Sequence, residues 1–246
     1  MSNLYQRYKR YKKKQLFQPG ILGLLTNPFY AARRGLFVAI TELARHVEGR
    51  VLDVGCGQKP YEMLFSPVEY IGMEIDSPEN RQNKKADLFY DGQTFPFPQS
   101  VFDSVVCNQV FEHVFNAQEF LSEVNRVLKT GGTLLLTVPF VWDEHEQPWD
   151  FARYTSFGLH HLLELHGFKI ISQRKSVVGV RALFQLLNGY IYKITRKSFC
   201  FFQLKHIGFL LFPIVNILGE LAAFALPNSE DLYLDNIVLA QKVGHA

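Results

Sequence analysis

Residues 51–60, Val-Leu-Asp-Val-Gly-Cys-Gly-Gln-Lys-Pro, decide the fold of this chain. After its first residue, the run Arg50–Val54 is apolar apart from one carboxylate, Asp53, which is typical of a buried parallel strand. Gly55 and Gly57 follow at once and predict a tight turn. A ligand can approach that turn closely, because neither residue carries a Cβ. A strand that runs into a glycine loop at the head of an α/β unit indicates a cofactor site.

A second signal lies at the end of the next predicted strand, residues 70–74. Its last residue, Glu74, stands about 20 residues beyond the glycines, where nucleotide-binding α/β folds grip a ribose diol with a carboxylate. The third glycine of a G-x-G-x-x-G pattern is missing, because Pro60 stands in its place. A pyrophosphate cradle is therefore not supported, and the pattern favours a nucleoside without phosphates.

Further motifs follow in a fixed order. They are Gly-Met-Glu at 72–74, Ala-Asp-Leu at 86–88, Phe-Asp-Ser-Val-Val-Cys at 102–107, Phe-Glu-His-Val at 111–114 and Leu-Lys-Thr-Gly-Gly at 128–132. Together with residues 52–57 they resemble the motifs of class I S-adenosylmethionine-dependent methyltransferases, most closely over residues 50–168. The resemblance implies an α/β, Rossmann-like fold. Its seven-stranded sheet would be mostly parallel with an antiparallel last strand, flanked by helices, and its cofactor would be S-adenosylmethionine.

The resemblance also implies roles for the residues around the first two strands. Asp53 would anchor the glycine loop or meet the methionyl amino group. Gly55 and Gly57 would let the backbone approach the cofactor. Glu74 would accept hydrogen bonds from both ribose hydroxyls, since its two oxygens match a vicinal diol.

Four more cofactor contacts are implied further along the chain. Asp87 would accept a hydrogen bond from the adenine amino group, and Leu88 would donate its backbone N–H to the ring. The simpler interpretation of Asp87 is a turn residue. Asn108 and Gln109, which leave the fourth strand, would lie next to the sulfonium.

The candidate catalytic residue is His145, in the loop that leaves the fifth strand. A sulfonium is already a strong methyl donor, so the protein has mainly to align the acceptor and remove its proton. The ordinary pKa of histidine lies near neutrality, and Glu144 and Glu146 flank His145. The alternative is that His145 orders the loop or binds substrate without moving a proton. His113, beside Glu112, is interpreted as structural rather than catalytic.

The same loop, residues 140–155, supplies the candidate substrate contacts Asp150, Arg153 and Tyr154. Open α/β sheets bind ligands at the carboxyl ends of their strands, and Arg153 suits a phosphate or a carboxylate. The alternative is a loop held together by a salt bridge. Residues 144–155 also resemble a segment of bacterial type 11 methyltransferases near polysaccharide-assembly genes, which implies a glycan or its lipid carrier as acceptor.

No metal site and no disulfide framework are predicted. His160, His161 and His166 share a predicted helix, but no acid or cysteine joins them at ligand spacing. The three cysteines have no C-x-x-C spacing, which favours a reducing compartment; they are Cys56, Cys107 and Cys200.

The two ends of the chain depart from the motif region. Residues 1–26 are predicted to form a basic arm, either a solvated helix or a surface for anionic lipids or substrates. Residues 27–246 would form the methyltransferase domain, with an apolar helical insertion at about 176–231. The insertion has three interpretations: a lid on the active site, a hairpin or in-plane helix in one leaflet of a membrane, or a membrane span.

Several element boundaries are expected from local signals. A helix over 28–47 would start after Asn27 as N-cap, and a crossover helix from Pro60 would point its N-terminus at the glycine loop. Strand three would end near Asp87. Asn116 and Glu119 would form a capping box. Further expectations are Gly131 or Gly132 as a helix C-cap before a fifth strand over 133–139, and Ser156 as an N-cap.

The predicted function is transfer of a methyl group to a small-molecule acceptor, a hydroxyl of a sugar, glycan or lipid-linked metabolite. One alternative is a membrane-surface binding module with a degenerate methyltransferase fold. Another is a quinone or prenyl-lipid methyltransferase. The expected location is cytoplasmic, with contact at the inner membrane face, and no nucleic-acid partner is expected because no such motif accompanies the charge.

Overall fold

The computed structural model describes Arg7, Tyr11 and residues 14–197 and 202–244, with the backbone alone at 196–197 and 202–209. The chain divides into two compact units. A helical unit comprises Met1–Val38 and Ser176–Leu234, and a sheet unit comprises Ala39–Lys175 and Asp235–Ala246. Most of the predicted basic arm lies outside the described residues, and its interpretation as a lipid or substrate surface stays a prediction.

The sheet has seven strands. They are β1 (Arg50–Val54), β2 (Glu69–Ile75), β3 (Leu88–Tyr90), β4 (Phe102–Asn108), β5 (Leu128–Pro139), β6 (Phe168–Ser176) and β7 (Asp235–Lys242). Their order is β3-β2-β1-β4-β5-β7-β6. The pairs from β3 to β5 are parallel, and β7 runs antiparallel to β5. This confirms the predicted Rossmann-like sheet with an antiparallel last strand.

Besides the helical residues 14–17, seven α-helices lie in the described part of the chain. They are α1 (Gly23–Thr26), α2 (Tyr30–Leu43), α3 (Pro78–Asn83), α4 (Ala117–Val127), α5 (Ser156–Leu165), α6 (Val180–Lys197) and α7 (Phe202–Ala225). Helix α4 buries the predicted apolar stripe of Phe120, Leu121, Val124 and Val127. Helix α2 is shorter than the predicted 28–47, because it begins at Tyr30 and ends at Leu43. The Asn27 side chain nevertheless accepts a hydrogen bond from the Phe29 N–H at 2.9 Å, just before the helix.

Three expected boundaries are wrong. The crossover helix after Pro60 is only a 3-10 turn, Glu62–Leu64, so no long helix dipole faces the glycine loop. Strand β3 starts after Asp87 rather than ending there. Strand β5 begins at Leu128, directly after α4, and Gly131 lies inside it at φ 79°. The glycine pair thus marks a shift of register between β4 and β5 rather than a helix cap.

Two expected caps also differ. Thr155, not Ser156, caps α5, since its hydroxyl accepts a hydrogen bond from the Gly158 N–H at 3.1 Å. The Asn116 side chain donates to Glu119 Oε2 at 3.0 Å and leaves the backbone of α4 uncapped by any side chain. Helices α4 and α5 therefore begin where the sequence predicts, but the hydrogen bonds at their starts are not the predicted ones.

The helical unit is organised by a buried amide, Asn216 of α7. Its Nδ2 donates to the carbonyls of Leu24 and Asn27 at 2.9 and 3.0 Å, and its Oδ1 accepts from Asn188 Nδ2 at 2.8 Å. The amide joins α7 to α6, to α1 and to the residue that follows α1. Buried amides that are satisfied in this way fix the register of neighbouring helices.

The chain enters and leaves the insertion through one neck. The Leu234 N–H donates to the Ser176 carbonyl at 3.0 Å, and the Gly179 N–H donates to the Leu232 carbonyl at 2.7 Å. The outgoing and returning segments are thus hydrogen-bonded to each other. Among the described residues, no helix combines the length and the hydropathy that crossing a bilayer requires.

Candidate active site

The two glycines after β1 serve different purposes. Gly55 has φ 68°, and a Cβ built on it would lie 2.3 Å from Val110 Cγ2. Gly57 has φ 54°, and a Cβ built on it would meet nothing within 4 Å. Gly55 is therefore needed for packing, whereas Gly57 borders open space that a ligand can occupy.

Glu74 connects the tip of β2 to that loop. Its Oε2 accepts a hydrogen bond from the Gly57 N–H at 2.9 Å, and the side chain is largely buried. The carboxylate is held where the sequence predicts a ribose contact. Its role in cofactor binding stays a prediction.

Asp53 lies deeper, next to the phenol of Tyr70. The Tyr70 hydroxyl donates to Asp53 Oδ2 at 2.7 Å, and Asp53 is 4% exposed. Burial raises the pKa of Asp53 to about 7, although the hydrogen bond from Tyr70 works in the opposite direction. This partner could not be predicted from the sequence, because Tyr70 lies on a different strand.

Asp87 is bound to the middle of β2. Its Oδ2 accepts from the Gly72 N–H at 2.7 Å and from Lys59 Nζ at 2.5 Å. Burial opposes ionisation of Asp87, but these two donors outweigh it and hold the pKa of the carboxyl below its usual value. Leu88 begins β3 opposite Met73. Asp87 thus lies at the start of β3, away from the carboxyl end where ligands bind.

The acid at the carboxyl end of β3 is Asp91, which sequence reasoning missed. Its Oδ1 accepts from the N–H groups of Gln93 and Thr94 at 2.8 and 3.0 Å, which fixes the turn. The loop that follows is fastened to α4, since Glu123 accepts from the Phe95 N–H and Arg126 donates to the Phe95 carbonyl. The signal that could have found Asp91 is its position directly after an aromatic strand and before a glycine.

Asn108 and Gln109 end β4 beside Thr137 of β5. The Gln109 N–H donates to the Thr137 carbonyl at 2.9 Å, and Asn108 Oδ1 lies 3.4 Å from Thr137 Oγ1. Gln109 has φ 54°, a left-handed conformation that is uncommon for a residue with a side chain. Such strain is often found at functional sites.

Two histidines and a glutamate meet beyond β4 and β5. Glu112 is 0% exposed, and its Oε1 lies 3.8 Å from Nε2 of both His113 and His145. The two imidazole rings are in edge contact, with centroids 4.8 Å apart. Burial raises the pKa of Glu112 to about 8. The candidate base His145 therefore lies next to Glu112 and His113. The sequence motifs did not predict this contact.

Asp150 and Arg153 are paired with each other. Arg153 donates to both oxygens of Asp150, at 2.5 and 2.6 Å. The hydrogen bond from Arg153 lowers the pKa of Asp150 to about 2. Asp150 Oδ2 also accepts from the His145 N–H at 3.0 Å, and Tyr154 stacks on Phe111 with centroids 4.9 Å apart. These contacts are those of the salt-bridged loop, and acceptor binding by the three residues stays a prediction.

The sheet order, the glycine loop and the acid at the tip of β2 define a class I S-adenosylmethionine-dependent methyltransferase domain. A family model described as a methyltransferase domain matches residues 30–173, more than half of the chain. The chain belongs to this family.

Two relatives illustrate the similarity. Over 104 residues the chain is 38% identical to a fatty-acid O-methyltransferase of Mycolicibacterium smegmatis, a match that covers 37% of this chain and 38% of that protein. Over 117 residues it is 28% identical to the malonyl-[acyl-carrier protein] O-methyltransferase of Legionella pneumophila, covering 42% of this chain and 41% of that protein. The chain thus spans about two fifths of the length of these relatives.

The fold is also similar to that of phosphoethanolamine N-methyltransferase 2 from Haemonchus contortus, solved in complex with S-adenosyl-L-methionine. The TM-score is 0.52 at 16% identity, and the similarity covers 95% of this chain and 60% of that one. At this identity the similarity concerns the fold alone.

Proposed function

We propose that this chain methylates an oxygen atom of a small-molecule acceptor with S-adenosylmethionine as the methyl donor. The observation that carries the proposal is the open space at Gly57 beside the carboxylate of Glu74. Bound there, the cofactor would supply an electrophilic methyl group on a sulfonium. The residues fit it, because a cationic donor with a ribose matches a carboxylate next to a glycine loop.

Asp91 is proposed to take the adenine contact that the sequence assigned to Asp87. Asp91 stands at the carboxyl end of β3, the edge of the sheet that also carries Gly57 and Glu74. Asp87 already holds Gly72 and Lys59. We therefore assign Asp87 to the support of the loop and Asp91 to the ligand.

An oxygen acceptor is supported by the chemistry near His145 and by the two relatives, both named O-methyltransferases. His145 Nδ1 lies 3.2 Å from Asp150 Oδ2, so a carboxylate orients the ring. In the absence of a bound cation, Nε2 is then the atom that accepts the acceptor's proton. Those relatives act on acyl compounds, which favours an acceptor with an apolar part, such as a lipid or a lipid-linked glycan.

Two measurements test this function. Calorimetric titration with S-adenosylmethionine is expected to give a Kd in the micromolar range, and labelled methyl groups should move to hydroxylated or carboxylated lipids supplied as a panel. No binding by the wild-type protein, with Glu74→Ala behaving identically, would overturn the proposal. Binding without transfer to any oxygen compound would keep the cofactor site and reject the oxygen acceptor.

A second proposal concerns the helical unit, which we infer to contact a membrane surface. Several of its large apolar side chains are exposed; they are Ile21, Leu183, Tyr190, Leu210, Leu221 and Phe224. Apolar groups on helices that do not span a bilayer can lie in its interface. The lid remains the other interpretation of these helices.

Flotation with liposomes tests this contact. Wild-type protein is expected to rise with anionic vesicles, and a Leu210→Ser/Phe224→Ser variant is expected to stay behind. The variant Val68→Ser serves as control, because Val68 is equally exposed but belongs to the sheet unit. Wild-type protein that fails to float would reject the contact and favour the lid.

A further inference from the structure

Glu112, His113 and His145 form a compact set of ligand atoms. One ligand atom from each residue lies within 4.8 Å of the other two. Glu112 and His113 belong to the 3-10 turn Phe111–His113 after β4, and His145 comes from the loop after β5. Both loops leave the carboxyl edge of the sheet, where they converge.

Glu112 is a buried carboxylate without a hydrogen bond to either of its side-chain oxygens in the described part of the chain. Its side chain is fully buried. A buried carboxylate that lacks donors is costly, and folded proteins normally satisfy it with hydrogen bonds or with a cation. The nearest basic atoms are the two Nε2 atoms at 3.8 Å, too far for hydrogen bonds.

Both histidines are held through their other nitrogen. His113 Nδ1 lies 2.6 Å from the carbonyl oxygen of Trp149. His145 Nδ1 lies 3.2 Å from Asp150 Oδ2 and 3.3 Å from the Asp143 carbonyl oxygen. These acceptors place the ring proton on Nδ1 and leave each Nε2, 3.8 Å from Glu112 Oε1, with a lone pair for a ligand. Metal-binding histidines are typically anchored in this way.

We propose that Glu112, His113 and His145 bind one divalent transition-metal ion through Oε1 and the two Nε2 atoms. Tetrahedral donors on one such ion lie about 3.4 Å apart, given bonds of about 2.0–2.1 Å. The two contacts of 3.8 Å exceed this separation by about 0.4 Å, and the His–His pair, within 4.8 Å, has to close by at most about 1.4 Å when the ion binds. Two imidazoles and a carboxylate suit zinc and its neighbours in the first transition row.

The site lacks a fourth protein ligand among the described residues. A site with three protein ligands leaves a position for an oxygen donor from outside the chain. If that donor is the acceptor, the ion lowers the pKa of its hydroxyl and takes over the task assigned to His145. This last step rests on the proposed function, whereas metal binding itself does not.

The test uses the full chain, purified without a histidine tag and stripped of metal. Titration with Co²⁺, followed by its visible absorption, and with Zn²⁺, followed by calorimetry, is expected to show one ion per chain. Glu112→Gln and His145→Asn should each weaken binding at least tenfold. His160→Asn is the matched control, because His160 lies 3.2 Å from Glu164 in an exposed pair on α5.

Equal metal binding by the wild type, Glu112→Gln and His145→Asn would overturn the proposal. Absence of any saturable binding by the wild type would do so as well. If Glu112→Gln fails to fold, His145→Asn still decides the question, since His145 is on a loop and partly exposed. Titration of the metal-free protein with S-adenosylmethionine tests the proposed function separately.

Discussion

Glu74 holds the Gly57 amide at 2.9 Å, so the tip of β2 and the loop after β1 form one unit. This single hydrogen bond joins the glycine loop to the acid at the end of the next strand, 17 residues further along the chain. Because an ionised acceptor strengthens such a bond, the arrangement fixes the loop before any ligand arrives.

Replacing Glu74 by glutamine should weaken cofactor binding about 10- to 100-fold. The variant loses a charge-assisted hydrogen bond of roughly 1.5–3 kcal/mol. Calorimetric titration with S-adenosylhomocysteine measures the effect. Glu79→Gln, an exposed glutamate in the first turn of α3, is the control and should bind normally. Equal affinities of the two variants would contradict the assignment of Glu74.

Alanine at the two loop glycines should give opposite results. Gly55→Ala places a methyl group against Val110 and should lower the free energy of unfolding by about 2–4 kcal/mol. Gly57→Ala should lower the free energy of unfolding by only about 1–2 kcal/mol, the cost of a positive φ at alanine. Its methyl group enters the open space, however, and should weaken cofactor binding at least tenfold. Urea unfolding and calorimetry separate the two effects. Normal cofactor affinity in Gly57→Ala would place the ligand elsewhere.

Substitution of Asp91 should mainly weaken cofactor binding, whereas substitution of Asp87 should mainly lower the stability of the fold. Asp91→Asn keeps the turn, since asparagine also accepts from the two N–H groups, but should weaken cofactor binding about tenfold. Asp87→Asn should lower the free energy of unfolding by about 1–2 kcal/mol through its lost pairing with Lys59, and change affinity less. The opposite ranking of affinities would restore Asp87 as the ligand contact.

Asp53 should make stability depend on pH. Its pKa is about 7 in the folded chain and near 3.8 when unfolded, so the folded state holds a proton that the unfolded state releases. The free energy of unfolding should therefore fall as pH rises from about 4 to 7, by a few kcal/mol in total. Asp53→Asn should remove the part of this fall that Asp53 causes, whereas the part caused by Glu112, whose pKa burial raises to about 8, should persist.

Chemical unfolding of the ligand-free protein at several pH values measures the dependence. The control is Asp231→Asn, an exposed aspartate of the helical unit, which should keep the wild-type slope. A slope in Asp53→Asn as steep as that of the wild type would assign the proton to another group.

The central strands could be predicted from sequence because burial on both faces leaves a direct mark on composition. Strands β1 and β4 begin and end at the expected residues. The element boundaries that were predicted wrongly lie at glycines and acids, because these residues are compatible with more than one local structure. Gly131 is equally suited to a helix end and to a strand irregularity, and only the pairing of β4 with β5 decides between them.

The candidate site was predictable only in part, for a similar reason. Glu74 could be placed because it ends a strand that follows the glycine loop. Glu112 could not, since its burial and its two histidine neighbours depend on loops from different strands. Asp91 was missed because a short strand of three residues leaves too little pattern to locate its end.

The neck between Ser176 and Leu234 bears on how this chain can change over time. Because the outgoing and returning segments are hydrogen-bonded to each other, the sixty or so residues between them form an insertion that is closed at its base. Lengthening, shortening or exchanging that insertion leaves the pairing of β5 with β7 unchanged. Selection can therefore reshape the apolar helices without altering the pairing of the sheet strands.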